Sequence, residues 1–328
     1  MTYQERYRGK GLEMPTHKAV YFRINRYHAG EGWSLEDSSP IIHSDTFFGG
    51  LVWSYRELYG NDEVEAFIET CKRKALLFSS LYPCKIGGTS LYPLPLNLSI
   101  DVRELFKGRP WAVSREVFRK LIGGTSIKEL RDSLKLHGGV LYTIDEEPVE
   151  LRIMKSYKNV RDRLMGSTDL WRLSYYVLGD GCGLRLLYRV IEPKEVSEKK
   201  LVPALRLLSE NGLGGERSTG LGSSSEPPII GEESVQEPND GKFFTTLSLY
   251  YPTRDEVEKY TNEEKWIYYE LVERGGFRDY RAGGRRNKAV RMFREGSVFP
   301  MISEYPGSMA DVDGAYKYGI AYPVRVMV

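Results

Sequence analysis

Five glycines fall within the eleven residues Gly212-Leu213-Gly214-Gly215-Glu216-Arg217-Ser218-Thr219-Gly220-Leu221-Gly222. Glycine loses more conformational freedom on folding than any other residue, so this density implies positive φ angles or a close backbone approach. The N–H groups of such a loop can cradle phosphate oxygens, with Arg217, Ser218 and Thr219 adding donors. Two nucleotide loops are excluded. A P-loop requires Lys and then Ser or Thr after the last glycine of G-x4-G, whereas Gly215-x4-Gly220 runs into Leu221-Gly222. A dinucleotide loop follows a strand and opens a helix. This loop follows a helical pattern, and Gly220-x-Gly222 lacks the third glycine. The plainer alternative is a flexible surface loop.

Cations bunch in two places. Arg278, Arg281, Arg285, Arg286, Lys288, Arg291 and Arg294 are set against one acid, Asp279, and Arg152, Lys155, Lys158, Arg161 and Arg163 enclose only Asp162. Aromatics interleave with them (Tyr157, Phe277, Tyr280, Phe293). The combination suits a polyanion that also offers flat bases. Either run by itself fits a solvated strand face equally well. The net charge of +2, from 47 basic and 45 acidic residues, decides nothing.

Catalytic constellations are sparse. The chain has no adjacent His-Asp pair and no Gly-Gly-Asp-Asp, because Ser44 separates His43 from Asp45. Neither the four histidines (His17, His28, His43, His137) nor the three cysteines (Cys71, Cys84, Cys182) have zinc-ligand spacing. Metal and cofactor are therefore both expected to be absent. A metal-independent ribonuclease needs a general acid or base near the glycine loop, and His28 and His43 are the candidates. Glu31, Glu36 and Asp37 are acids in an early loop, with nothing to single out one as catalytic. The expectation is binding without catalysis.

The elements that position these residues follow from periodicity. Val20, Phe22 and Ile24 alternate within a strand at 18–27. Ser44 or Asp45 can cap a helix whose apolar residues are Phe47, Phe48, Leu51, Val52, Tyr55, Leu58 and Tyr59, with Gly60 as its stop. Residues 84–154 look like an insertion, punctuated by Pro83, Gly87, Gly88, Pro93 and Pro95 and closed by a hairpin pairing 140–144 with 149–153. A second hairpin pairs 171–178 with 184–191. A helix with Leu201, Ala204, Leu205 and Leu208 follows, Pro203 falling in its first turn or delaying its start. A short segment then ends at Ile229-Ile230. Without the insertion the order is strand, helix, two strands, helix, strand, the split βαβ or ferredoxin-like arrangement.

Beyond a polar linker at 231–241 the order begins again. A strand at 243–251 precedes a helix with a Thr261-x-x-Glu264 capping box and an Ile267, Tyr268, Leu271, Val272 face. A basic, strand-like stretch at 278–299 and a final strand at 320–328 complete the chain. The fold expected is α+β, with two tandem ferredoxin-like (RRM-like) units at 1–238 and 239–328. Composition agrees: 41% hydrophobic and 28% charged residues describe a chain that can bury a core. There is no apolar run of the roughly 18 residues a membrane span needs, and the polar start lacks a signal-peptide core. The three scattered cysteines make a reducing cytoplasm the expected compartment.

A glycine-rich loop after the second helix of a ferredoxin-like unit is the hallmark of the RAMP superfamily of CRISPR RNA-binding proteins, and 212–222 resembles it closely. Other segments resemble one branch, the fourth Csm subunit of type III-A effector complexes. They are His43-Ser44-Asp45-Thr46-Phe47-Phe48-Gly49-Gly50, Phe78-Ser79-Ser80-Leu81-Tyr82-Pro83, Gly275-Gly276 with Glu295-Gly296-Ser297-Val298-Phe299, and Tyr318-Gly319-Ile320-Ala321. The likeness runs from about Ala19 to the end. It implies a subunit in antiviral defence that caps the complex and holds the 5′ handle of the crRNA. The partners implied are the large Cas10-type subunit and the adjacent Csm backbone subunit. Residues 84–154 would be a thumb inserted between guide nucleotides. RNA would meet Gly214, Gly215, Gly220 and Gly222 with Arg217, Ser218 and Thr219, and the helix start at Ser44 and Thr46, where free N–H groups favour phosphate and Asp45 caps. Arg161, Arg163, Arg285 and Arg286 would add phosphate contacts, and Tyr82 a stacking surface.

Overall fold

The computed structural model describes residues 17–31, 35–161, 168–262, 266–276 and 288–328. The N-terminal unit is built from β1 (His17–Phe22), α1 (Ser44–Tyr59), β2 (Leu76–Phe78), β3 (Cys182–Val190), α2 (Glu198–Asn211) and β4 (Ile229–Glu233). The strands lie in the order β4-β1-β3-β2, and each neighbouring pair is antiparallel. That is the ferredoxin-like order 4-1-3-2 of the expected α+β class, but its second strand is Leu76–Phe78 and not the expected 171–178, which lies in another sheet, paired with Leu151–Arg161. In α1, Phe47, Phe48, Leu51 and Tyr55 are buried, and the helix stops at Gly60 (φ +82°). A side chain at Gly50 would collide with Leu208 of α2, so glycine permits the two helices to approach closely. Pro203 lies inside α2 rather than in its first turn, because the helix starts earlier, at Glu198.

The insertion differs from expectation in extent and pairing. Tyr82–Lys85 pairs with β3 and so belongs to the main sheet, and the expected boundary at 154 falls inside the strand Leu151–Arg161. The inserted chain therefore runs from 86 to 181. Its first part forms a sheet of its own from Leu91–Pro93, Ala112–Ser114, Val140–Thr143 and Leu134–His137, in that order, packed on short helices such as Arg115–Ile122. Its second part is a long hairpin, Leu151–Arg161 with Thr168–Leu178. Neither expected hairpin exists. Val140–Thr143 pairs with Leu134–His137 and Ala112–Ser114, Leu151–Arg161 pairs with Thr168–Leu178, and β3 pairs with β1. Each run is a strand: Val140–Thr143 and Leu151–Arg161 turn back on neighbours other than those expected, the first through the Gly138-Gly139 turn, and only the partner of β3 is remote in sequence.

The C-terminal unit contains β5 (Phe243–Thr246), α3 (Arg254–Asn262), β6 (Val298–Pro300) and β7 (Pro323–Val326), with strand order β6-β5-β7. Tyr268 bridges to Val298 outside β6, which restores the 4-1-3-2 order. No second helix is found here among the described residues. A hairpin, Ala310–Val312 with Ala315–Lys317, lies between β6 and β7 instead. The capping box is also displaced. Thr253 N–H donates to Glu256 (2.8 Å) and Glu256 N–H donates to Thr253 Oγ1 (3.3 Å), so α3 starts eight residues before the expected Thr261. Leu271 and Val272 consequently lie in a strand, Leu271–Arg274, paired with Val290–Phe293. One apolar cluster runs through both units, joining Leu51 and Leu187 to Val298 and Val324. Among the described residues no helix is long and apolar enough to cross a membrane.

Candidate nucleic-acid interface

The glycine loop is an ordered platform. After α2, Gly212 (φ +93°) turns the chain, and Leu213 and Gly222 close the loop through Leu213 N–H to the Gly222 carbonyl (2.9 Å). Two further bonds fasten it to the segment after β1. Gly215 N–H donates to the His28 carbonyl (2.8 Å) and Gly222 N–H donates to the Arg26 carbonyl (2.8 Å). Gly214 (φ +88°) and Gly222 (φ +78°) have the positive φ and close approach that the composition implied. A Cβ at Gly214 would strike the His28 carbonyl, and one at Gly222 the Leu213 carbonyl. Gly220 (φ +80°) needs its φ but has open space around it.

On this base stands an exposed tip. Arg217–Thr219 form one 3-10 turn, and Arg217, Ser218, Thr219 and Gly220 are exposed. Gly220 N–H and Thr219 N–H are turned inward, to the carbonyls of Arg217 (2.9 Å) and Glu216 (3.0 Å). The tip thus offers side chains, chiefly the Arg217 guanidinium and the Ser218 hydroxyl, more than a full row of backbone donors. Glu216 takes a left-handed conformation (φ +57°) and its carboxylate pairs with Lys158 of the long hairpin.

The hairpin carries the second basic run beside the loop. Period-two geometry divides that run: Arg152 and Lys158 point to one face, and Lys155 points to the other. Tyr157, exposed at 65%, has the Arg172 guanidinium over its ring. Arg161 ends the described strand. Arg163, Arg285 and Arg286 lie outside the described residues.

Other expected contacts are placed in the interior. Ser44 is fully buried: its N–H donates to Ser80 Oγ (2.9 Å), and its Oγ accepts from Leu249 N–H (3.1 Å). Tyr82 is 1% exposed, with its hydroxyl donating to the Leu247 carbonyl (3.3 Å). At the start of α1 the N-cap is His43, without a side-chain cap bond. Asp45 does not cap in the ordinary sense. It accepts from Arg274 Nη2 (2.9 Å) and Nε (3.1 Å), with Lys317 Nζ at 3.6 Å. Burial opposes its ionisation, but these cations and His43 bring its pKa down to about 2. Thr46 Oγ1 accepts from the same arginine (2.8 Å). The helix N-terminus expected to meet phosphate is therefore filled by the chain's own C-terminal unit. Sequence reasoning missed this because Arg274 is 229 residues from Asp45.

Both candidate catalytic histidines are also structural. His28 is 2% exposed, its Nδ1 lies 2.7 Å from the Ser174 carbonyl, and its ring packs under Gly215. His43 is 1% exposed and lies 2.8 Å from Glu295, which also accepts from Ser80. Burial works against the Glu295 carboxylate, yet His43 and the bonds from His43 and Ser80 hold it below the usual carboxylate range. The three cysteines are free and buried, and no cluster of metal-ligating side chains occurs among the described residues.

Comparison with known proteins agrees with this architecture. Residues 25–225 match the RAMP superfamily, and residues 239–326 match the CRISPR Csm4 C-terminal domain. A "CRISPR system Cms protein Csm4" of Methanocaldococcus jannaschii is 25% identical, the alignment covering 78% of this chain and 77% of that protein. Its counterpart in Thermococcus onnurineus is 24% identical, with 87% and 92% covered. In fold the chain is similar to a Csm3-Csm4 subcomplex from a type III-A CRISPR-Cas interference complex (TM-score 0.66, 18% identity, 95% of this chain and 100% of that one). It is also similar to a Csm1-Csm4 cassette in complex with cA4 (TM-score 0.60, 16% identity, 96% and 99% covered). The glycine loop after the second ferredoxin helix and the match across most of the N-terminal unit lead to one assignment: the chain belongs to the RAMP superfamily, in its Csm4-type branch.

Proposed function

We propose that the chain is a non-catalytic RNA-binding subunit of a type III-A (Csm) CRISPR effector complex, which holds the 5′ handle of the crRNA and bridges the large Cas10-type subunit to the backbone subunits. The observation that carries this reading is the exposed Arg217–Thr219 turn, raised on a hydrogen-bonded glycine platform and tied through Glu216 to the basic hairpin. A rigid, cationic, donor-rich tip binds phosphate at little entropic cost, because its backbone is ordered before the ligand arrives. The two relatives named Csm4, and the fold likeness to chains assembled with Csm3 and with Csm1, support the partners. The buried positions of His28 and His43 support binding without cleavage, since an acid or base must reach the 2′-OH or the leaving oxygen. Arg163, Arg285 and Arg286 belong to this reading as further phosphate contacts, and so does the Arg161 guanidinium.

The test is a salt-titrated binding and cleavage assay with a labelled handle RNA, a scrambled control, and an Arg217→Glu variant. Expected are intact RNA, tighter binding of the handle, and a log K against log salt slope of about −0.7 per phosphate engaged. The variant should bind more weakly with a shallower slope. RNA cleavage that survives purification and vanishes on substitution of His28 or His43 would replace this reading with an endoribonuclease. Absence of RNA binding, with or without the neighbouring subunits, would leave only a scaffold.

A further inference from the structure

A cleft of about 650 Å³ opens between the insertion and the C-terminal unit, away from the residues of the glycine loop. One side is formed by 93–111 of the insertion, including Arg103, Arg109 and Trp111. The other side comes from Tyr268, Tyr269 and Glu270, with Arg294 and Glu295. Its volume falls within the ordinary range for small-molecule sites. Its chemistry is more telling than its size.

The aromatic groups are fixed in advance. Trp111 N–H donates to the Gly139 carbonyl (2.9 Å) and Trp111 Nε1 donates to the Gly138 carbonyl (3.3 Å). Tyr268 is pinned by two backbone bonds to Val298 (3.0 and 2.7 Å), and the Tyr269 ring packs edge-on against Phe293, centroids 5.0 Å apart. The cations divide into engaged and available. Arg294 is held by Glu31 (3.4 Å) and Glu270 (3.7 Å). Arg103 and Arg109 are exposed, and among the described residues no acid pairs with either. Flat rings joined by free guanidinium groups suit a ligand with both a π face and a phosphate. An unpaired nucleotide has both, and stacking on aromatic side chains is the usual way to hold an extruded base.

We propose that this cleft is a second RNA subsite, which takes one unpaired nucleotide with its base against Trp111 and the Tyr268–Tyr269 side and its phosphate on Arg103 and Arg109. The inference rests on the RNA-binding reading and names a place where that RNA is gripped by a base as well as by phosphate. Tyr82 lines the same cleft but is 1% exposed, so the stacking surface is assigned to Trp111 and Tyr269 instead.

The test uses the full chain, with AMP and ribose 5-phosphate as small probes and the handle RNA as the polymer. AMP should bind at least tenfold more tightly than ribose 5-phosphate, because only AMP brings a base. Tyr269→Ala, and separately the pair Arg103→Glu and Arg109→Glu, should each weaken AMP at least fivefold. All these side chains are exposed, and circular dichroism and thermal melts will show whether the variants fold as the parent does. Arg217→Glu should leave AMP binding unchanged while weakening the RNA. Equal binding of AMP and ribose 5-phosphate, or AMP binding indifferent to both cleft variants, overturns the subsite. Photocrosslinking of 8-azido-AMP only to peptides that do not line the cleft, those outside 40–41, 82, 93–111, 267–270 and 294–295, overturns it as well. If AMP behaves as expected but handle RNA binds no form of the protein, even with its neighbouring subunits, the handle reading fails and the pocket alone remains. If RNA binds through Arg217 and AMP does not bind, the subsite alone fails.

Discussion

Arg274 closes on Asp45 from 229 residues away, Nη2 to Oδ1 at 2.9 Å and Nε to Oδ2 at 3.1 Å, at the first turn of α1. Both side chains are almost wholly buried. The pair locks the C-terminal unit onto the helix of the N-terminal one, and it places a cation where an external phosphate would otherwise sit. Removal of one partner strands the other in a medium that solvates it poorly. Arg274→Met should therefore cost roughly 3–5 kcal/mol in urea unfolding. The double variant Asp45→Asn, Arg274→Met should recover much of the loss, and a double variant as unstable as Arg274→Met would contradict the coupling.

The same pair sets a pH dependence. The folded-state pKa of Asp45 is about 2, below its ordinary value of 3.8, so the unfolded chain takes up the proton first. The contribution, about 2 kcal/mol by the conversion of 1.36 kcal/mol per unit, is complete above pH 5 and is lost as pH falls through 4 toward 2. Thermal melts of wild type and Asp45→Asn should differ most near neutrality and converge below pH 3. A gap that is constant with pH would show that the charge is not what the site stabilises.

Two glycines of the loop should separate strain from collision. Gly220→Ala imposes a left-handed φ on alanine in open space, at about 1–2 kcal/mol. Gly222→Ala adds a clash with the Leu213 carbonyl inside the platform. The first should fold and keep most of its RNA affinity. The second should lose the platform, seen as accelerated hydrogen exchange at Gly215 and at Gly222's neighbours, together with weaker RNA binding. Equal behaviour of the two variants would mean that the platform does not depend on the close approach.

His28→Ala tests a histidine as a pillar. It removes the ring under Gly215 and leaves the Ser174 carbonyl without its partner, at about 2–4 kcal/mol. Unfolding free energy and RNA affinity should both fall, and RNA should stay intact before and after. Cleavage by wild type that His28→Ala abolishes would make the residue catalytic.

Lys158→Ala should behave in the opposite way. The pair with Glu216 is partly exposed, so stability should change by less than about 1 kcal/mol. RNA binding should weaken, because an unpaired Glu216 carboxylate would then stand beside the phosphate path. Restoration by Lys158→Arg, or by a second change of Glu216→Gln, would locate the effect in charge. An unchanged affinity in Lys158→Ala would place the RNA elsewhere.

The sequence by itself determined the class of fold, the first strand and both helices of the N-terminal unit, and the special character of the glycine loop. All three are local signals. Apolar spacing marks α1 through Phe47, Leu51 and Tyr55, alternation marks β1, and only glycine explains the φ angles at Gly214 and Gly222. Tertiary structure decided which strand pairs with which, and which polar side chains remain available to a ligand. Val140–Thr143 reads locally as the first half of a hairpin with 149–153, but it is the second half of one with Leu134–His137 and lies parallel to Ala112–Ser114 on its other side. Thr253 and Thr261 both begin a T-x-x-E pattern, and packing selected the first. Ser44 and Tyr82 have the chemistry of RNA contacts yet spend it on Ser80 and on the Leu249 and Leu247 backbones. Arg103 and Arg109 carry no motif, and they become candidates only because the fold sets them on a cleft with no acid paired to either among the described residues. Burial and long-range pairing are properties of the whole chain. A donor's type is written in the sequence, while its partner depends on groups that folding brings from hundreds of residues away.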